Sequence, residues 1–217
     1  MIVNTLFLAG LTLTIGVVYW WGFTRLPGER WQIMAAVPRL KTGHQWQAVN
    51  LTWYGFILAS ACTAGVALLL VLLGALAIPC TSSLLLCLAM LGVCMPGDKL
   101  VARLVEGKHH TLTVGAALFL GVLIAPVLLW SLNHLLPEAM SLPAPSITVM
   151  ACLAVTYAFG EGLGRLACIS FGCCYGKPLT SLPGWVRRIV APVSFTFRGQ
   201  TKKIAYAHDL EGVKVVP

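Results

Sequence analysis

The sequence predicts an all-α integral membrane protein of about five transmembrane helices with a polar C-terminal segment. Three observations point there. Of 217 residues, 58% are hydrophobic and only 10% are charged, a composition of membrane rather than soluble domains. The mean hydropathy is +0.85. Charge placement agrees: no Asp, Glu, Lys or Arg occurs in Met1–Thr24, Thr42–Gly97, Thr111–Pro137 or Ala139–Gly160. Each gap can hold at least one spanning helix of about 20 residues.

The first expected span is Ile2–Phe23. A secretory signal peptide would carry Lys or Arg before the apolar run, and none stands there, so the run reads as a retained helix. Trp20, Trp21 and Arg25 sit at its end, where indole and basic groups favour the membrane interface. A polar loop, Thr24–Asn50, follows. The second span is Leu51–Ala77, ended by Pro79 and the Thr-Ser-Ser after it, which break a helix. The third, Leu84–Leu104, carries Asp98 and Lys99 near its end. Lys108, His109 and His110 mark a short loop. His109 or His110 is a candidate general base, because His titrates near neutrality; a solvated loop is the plainer reading. The fourth span is Thr111–Leu132, with Pro126 inside, as membrane helices tolerate. A Pro-rich break around Pro137, Glu138, Pro143 and Pro145 leads to the fifth, Ile147–Phe171. The tail, Gly172–Pro217, holds seven Lys/Arg against two acids. No internal repeat or low-complexity tract is present.

The formal net charge is +8. In a membrane protein such an excess sets orientation and attracts anionic lipid, so a lipid bilayer is the expected partner and nucleic acid is not. Loops one, three and five carry nearly all the Lys and Arg. By the positive-inside rule the N-terminus lies outside and the tail in the cytoplasm. Cys62, Cys80, Cys87, Cys94 and Cys152 fall within spans, where cysteine acts as a small apolar residue.

The stretch with the most chemistry is Phe-Gly-Glu-Gly-Leu-Gly-Arg-Leu-Ala-Cys-Ile-Ser-Phe-Gly-Cys-Cys-Tyr-Gly-Lys-Pro, Phe159–Pro178. Glu161 and Arg165 stand four apart and share a helix face. Ionisable groups in a span pair with one another, face the interior or line a cavity. A mutual salt bridge is one reading. The other is that the Arg165 fork grips an anionic headgroup. Gly160, Gly162 and Gly164 allow close helix approach. Cys168, Cys173 and Cys174 form C-x4-C-C, which lacks the second ligand pair of a zinc site. A metal site or thiol redox pair there remains an alternative, and no metal or other cofactor is expected.

Gly164–Gly176 resembles the signature of the prolipoprotein diacylglyceryl transferase family, roughly G-R-x-G-N-F-x-N-x-E-x-x-G. Gly164, Arg165 and Gly176 match it. Leu51–Ala59 resembles the Trp-Tyr-Gly that opens a helix in that family, and Gly115–Ala125 is similar to its H-G-G-L-I-G-V segment. Gly212–Pro217 resembles the lead-in to its H-P-x-Q-L-Y segment. The likeness covers about Asn50 to the C-terminus. It divides the chain into 1–49, an extra N-terminal helix and basic loop; 50–171, transferase-like membrane helices; and 172–217, a head-domain remnant.

The resemblance implies transfer of diacylglyceryl from phosphatidylglycerol to the lipobox cysteine of a prolipoprotein signal peptide, at a bacterial inner (cytoplasmic) membrane. Arg165 and Glu161 are then the expected catalytic residues, and Arg165, Gly164, Tyr54 and Gly176 the expected substrate contacts. Family orientation would turn the signature toward the periplasm, opposite to the charge rule. Cys168, Phe171 and Cys173 stand where the family has asparagine, asparagine and glutamate, and Gly115 where it has histidine. The chain is therefore read as a divergent, cysteine-type relative, open to being truncated at Pro217. A non-catalytic lipid-binding protein on the same scaffold is the alternative.

Overall fold

The computed structural model describes residues 2–106, 114–135, 137, 146–172, 177–196 and 214–216. Most of them are helical: α1 Ile2–Arg25, α2 Trp53–Ala75, α3 Cys80–Glu106, α4 Val114–Leu135, α5 Ser146–Phe171 and the short α6 Gly184–Val190. Two small sheets join them. Strands β1 (Ile33–Thr42) and β2 (Gln45–Thr52) form one, and β3 (Lys177–Pro178), β4 (Phe195–Thr196) and β5 (Lys214–Val216) the other. Among the described residues, four helices are long and apolar enough to cross a membrane: Trp53–Ala75, Cys80–Val105, Leu118–Leu135 and Ser146–Phe171. The chain has the make-up of a multi-span membrane protein. The expected first span forms as α1 but is not among these four.

The chain divides into two compact units, Met1–Cys62 with Glu161–Pro217, and Thr63–Gly160. In the second unit, Leu69, Leu73, Ile78, Leu86, Cys87, Leu129, Leu132 and Val149 form the core. Small residues let α3 and α4 approach. A methyl on Gly97 would meet Leu120 Cδ1 at 2.6 Å, and one on Gly121 would meet Cys94 Sγ at 3.8 Å. Cys87 is buried in this core, where it acts as a small apolar residue. A methyl on Gly65 would meet Thr156 and the Gly160 Cα at 3.8 Å, so α2 and α5 pass closely at these glycines.

The α2–α3 connection corrects the sequence reading. Thr81–Ser83 do not break a helix; they are its first turn. The Pro79 carbonyl accepts from Ser83 N at 3.0 Å and from Ser83 Oγ at 3.1 Å. Just past the end of α2, Ala77 takes a positive φ of 58°. Ala77 N donates to Gly74 O and Ile78 N to Leu73 O, at 3.0 and 3.1 Å. This is a Schellman cap, with buried Ile78 packed in the same core as Leu73.

In the first unit, the expected polar loop Thr24–Asn50 is instead largely the β1–β2 hairpin. Its two-residue turn, Gly43-His44, puts Gly43 at φ 63°, the conformation that a II′-type hairpin asks of glycine. Val37 pairs with Val49, and register shifts fall between Ile33 and Ala35 and between Pro38 and Leu40. Helix α2 starts two residues later than expected because Leu51 and Thr52 end β2. Thr52 Oγ1 accepts from Gly55 N at 3.2 Å, an N-cap bond. The second sheet has strand order β3-β5-β4, both pairs antiparallel. Leu26, Leu166, Ile169 and Phe195 make this unit's core, with Tyr19, Phe23, Trp31 and Ile57 packed around it.

Candidate functional site

Helix α5 organises the first unit's site. At about 100° per residue, each side chain's direction around its axis follows from sequence position. One edge faces α1. A methyl on Gly162 would lie 2.6 Å from Tyr19 Oη, and Leu166 Cδ2 stands 2.5 Å from where a Gly22 methyl would be. The opposite edge faces the start of α2. The Gly164 position lies 3.7 Å from Leu58 Cδ1, and the Phe171 ring is 5.5 Å from that of Tyr54, tilted by 54°. By the same angles Glu161 and Arg165 fall between the two edges, on an open strip, or crease, of α5 flanked by those contacts.

The Arg165 guanidinium donates through Nη2 to Glu161 Oε1 at 2.9 Å, with the side chains 53% and 26% exposed. The pair is locally neutral, which lowers the cost of holding both charges on an apolar helix. Glu161 fixes one nitrogen of the fork. Arginine carries five N–H donors, so a second anion can be met by the rest of a half-exposed head group. Chemically the crease can grip a phosphate and offset negative charge developing on it.

The sequence-predicted residues are thus partly gathered. Glu161, Gly164, Arg165 and Tyr54 share one unit, and the segments holding Gly164 and Tyr54 are in contact through Leu58 and Phe171. The Phe171 ring supplies packing for Tyr54. Cys168 is half-buried on α5. Gly176, Cys173, Cys174, His109 and His110 lie outside the described residues. Gly115 is on α4, in the second unit. Among the described residues, no three His, Cys, Asp or Glu side chains group as metal ligands.

An aromatic cluster beside the site went unread in the sequence. Trp31 sits 5.2 Å from Trp21 and 4.8 Å from Trp53, both edge-on, with Trp53 5.8 Å from Phe56. The Arg30 guanidinium lies 5.6 Å over Trp31, a cation–π distance. Ser170 Oγ donates to the Trp31 carbonyl, and Trp53 N donates to Gln32 O at 3.1 Å. These bonds tie the hairpin base to α5 and α2. The signal was the tryptophan density: Trp20, Trp21, Trp31, Trp46 and Trp53 all precede Tyr54. In the second unit, buried Asp98 on α3 is an ionisable group inside a span.

No protein-family model, curated protein or solved structure matches the chain.

Proposed function

We propose that the chain is a membrane-embedded transferase of the prolipoprotein diacylglyceryl type, acting on phosphatidylglycerol. In that reading α1 is a fifth span and the protein sits in the bacterial inner membrane. The observation that carries it is the crease: half-exposed Arg165, oriented by Glu161, between Tyr19 of α1 and Leu58 of α2. Arg165 holds the phosphate of the lipid headgroup. The lipobox cysteine sulfur forms a C–S bond with the glyceryl carbon, the carbon–oxygen bond to phosphate breaks with its electron pair staying on the phosphate, glycerol phosphate departs, and the thiol proton passes to solvent. The guanidinium offsets the charge growing on that leaving group. Expression of the chain in a transferase-depleted strain tests this: lipoprotein maturation returns with the parent and not with Arg165→Ala.

A second reading is favoured by Gly115, Cys168, Phe171 and Cys173, which lack the hydrogen-bonding groups of the family's residues. On it, the same crease binds the phospholipid without turnover. Purified protein that retains phosphatidylglycerol but releases no glycerol phosphate would select that reading.

A further inference from the structure

Helix α6 (Gly184–Val190) exposes an apolar edge that its own packing leaves unused. Trp185 and Ile189, four residues apart, are 71% and 69% exposed, and Val193 in the following turn is 44% exposed. Val186 and Val190, about a quarter-turn round, are half-buried. The helix rests on that second edge and shows the first to its surroundings. Arg188 falls about 60° to one side of Trp185 and Arg187 further round, and both are exposed.

Along the sequence, the charge around α6 has one sign. Between Glu161 and Asp209 there is no Asp or Glu, while Lys177, Arg187, Arg188, Arg198, Lys202 and Lys203 all lie in that interval. The partner must therefore be anionic as well as receptive to apolar groups. A tether narrows it further. Helix α5, which is long and apolar enough to span, ends at Phe171, and α6 starts at Gly184, so α6 stays within a short loop of the bilayer. Tryptophan above other residues favours the headgroup level, and arginine favours phosphate.

We propose that α6 is an interfacial anchor seated on an anionic phospholipid surface. Trp185, Ile189 and Val193 enter the boundary between headgroups and acyl chains, and Arg187 and Arg188 meet the phosphates. This rests on the spanning helices and not on the transferase reading.

The test uses the full chain in nanodiscs, one copy per disc. Phosphatidylserine supplies the negative charge, so the substrate of the transferase reading is absent. Parent emission minus that of Trp185→Phe isolates Trp185, and phospholipid brominated near the top of its acyl chains is the quencher. Trp185 emission should fall by more than half in anionic discs. Arg187→Gln with Arg188→Gln should lower the ratio of seated to unseated helix about 30-fold, from roughly fivefold per charge. All three side chains are exposed, so none of these changes disturbs a core. Unquenched Trp185 overturns the proposal. So does quenching that the double variant leaves unchanged, which would mean apolar seating without anion recognition. Shielding of Trp185 that appears only with two copies per disc also overturns it, in favour of an interface between copies.

Discussion

Gly162→Ala is the sharpest probe of the α1–α5 contact beside the Glu161–Arg165 pair. In a helix the change by itself is favourable, by about 1 kcal/mol, because alanine loses less backbone freedom. Here the new methyl would stand 2.6 Å from Tyr19 Oη, well inside contact distance. Tyrosine is rigid beyond χ2, so relief requires α1 to shift or the ring to leave its rotamer. Overpacking of this kind costs about 1–3 kcal/mol, so the single variant is destabilised or at best unchanged. The next atom, Tyr19 Cζ, is 3.9 Å away, an ordinary contact. Gly162→Ala in a Tyr19→Phe background should therefore recover the helix gain and exceed the stability of Tyr19→Phe alone. The coupling between the two changes is expected at about 1–3 kcal/mol. Unfolding of the four proteins in detergent, followed by circular dichroism, measures it. A coupling near zero would refute the placement of Tyr19 against α5, and with it the crease.

Ala77→Gly should stabilise the second unit by about 0.5–1 kcal/mol, since Ala77 holds a positive φ of 58° that glycine adopts without strain; a higher unfolding midpoint checks it. Thr52→Ala removes the acceptor of the 3.2 Å bond from Gly55 N and should cost about 1 kcal/mol, with Thr52→Ser restoring most of it in the same assay. Glu161→Gln keeps the shape but drops the charge that anchors Arg165 Nη2 at 2.9 Å. Retention of phosphatidylglycerol on purification should change with this variant while fold stability moves by about 1 kcal/mol or less, as for half-exposed pairs.

The long helices were legible because charge is excluded from them over whole spans, a signal that survives without tertiary information. The hairpin was not. All ten residues of β1 are exposed, so no in-out burial pattern stamps a two-residue period on the sequence, and the register shifts at Ile33/Ala35 and Pro38/Leu40 break what alternation exists. Only Gly43 between two runs of β-compatible residues hinted at a turn. Pro79 misled in the other direction: at the start of a helix its missing N–H costs nothing, and Ser83 then binds back to its carbonyl.

For the candidate site, the Glu161–Arg165 pair follows from four-residue spacing alone and is present. The contribution of α1 could not be read, because Tyr19 and Gly22 meet Gly162 and Leu166 across more than 140 residues of chain and carry no local mark. Phe171 looked like a lost asparagine; in three dimensions its ring meets Tyr54. A packing role of that sort depends on which residue lies opposite, and sequence position does not disclose it.

In the proposed reaction Arg165 grips the leaving phosphate during diacylglyceryl transfer. The most direct measurement incubates the purified chain with phosphatidylglycerol and a lipobox peptide, and follows thioether product and glycerol phosphate together. Both should form in equal amounts, and Arg165→Ala should lower the rate about 10²–10³-fold, the scale of losing one stabilising donor at a developing charge. No product from the parent chain, or an undiminished rate in Arg165→Ala, would contradict it.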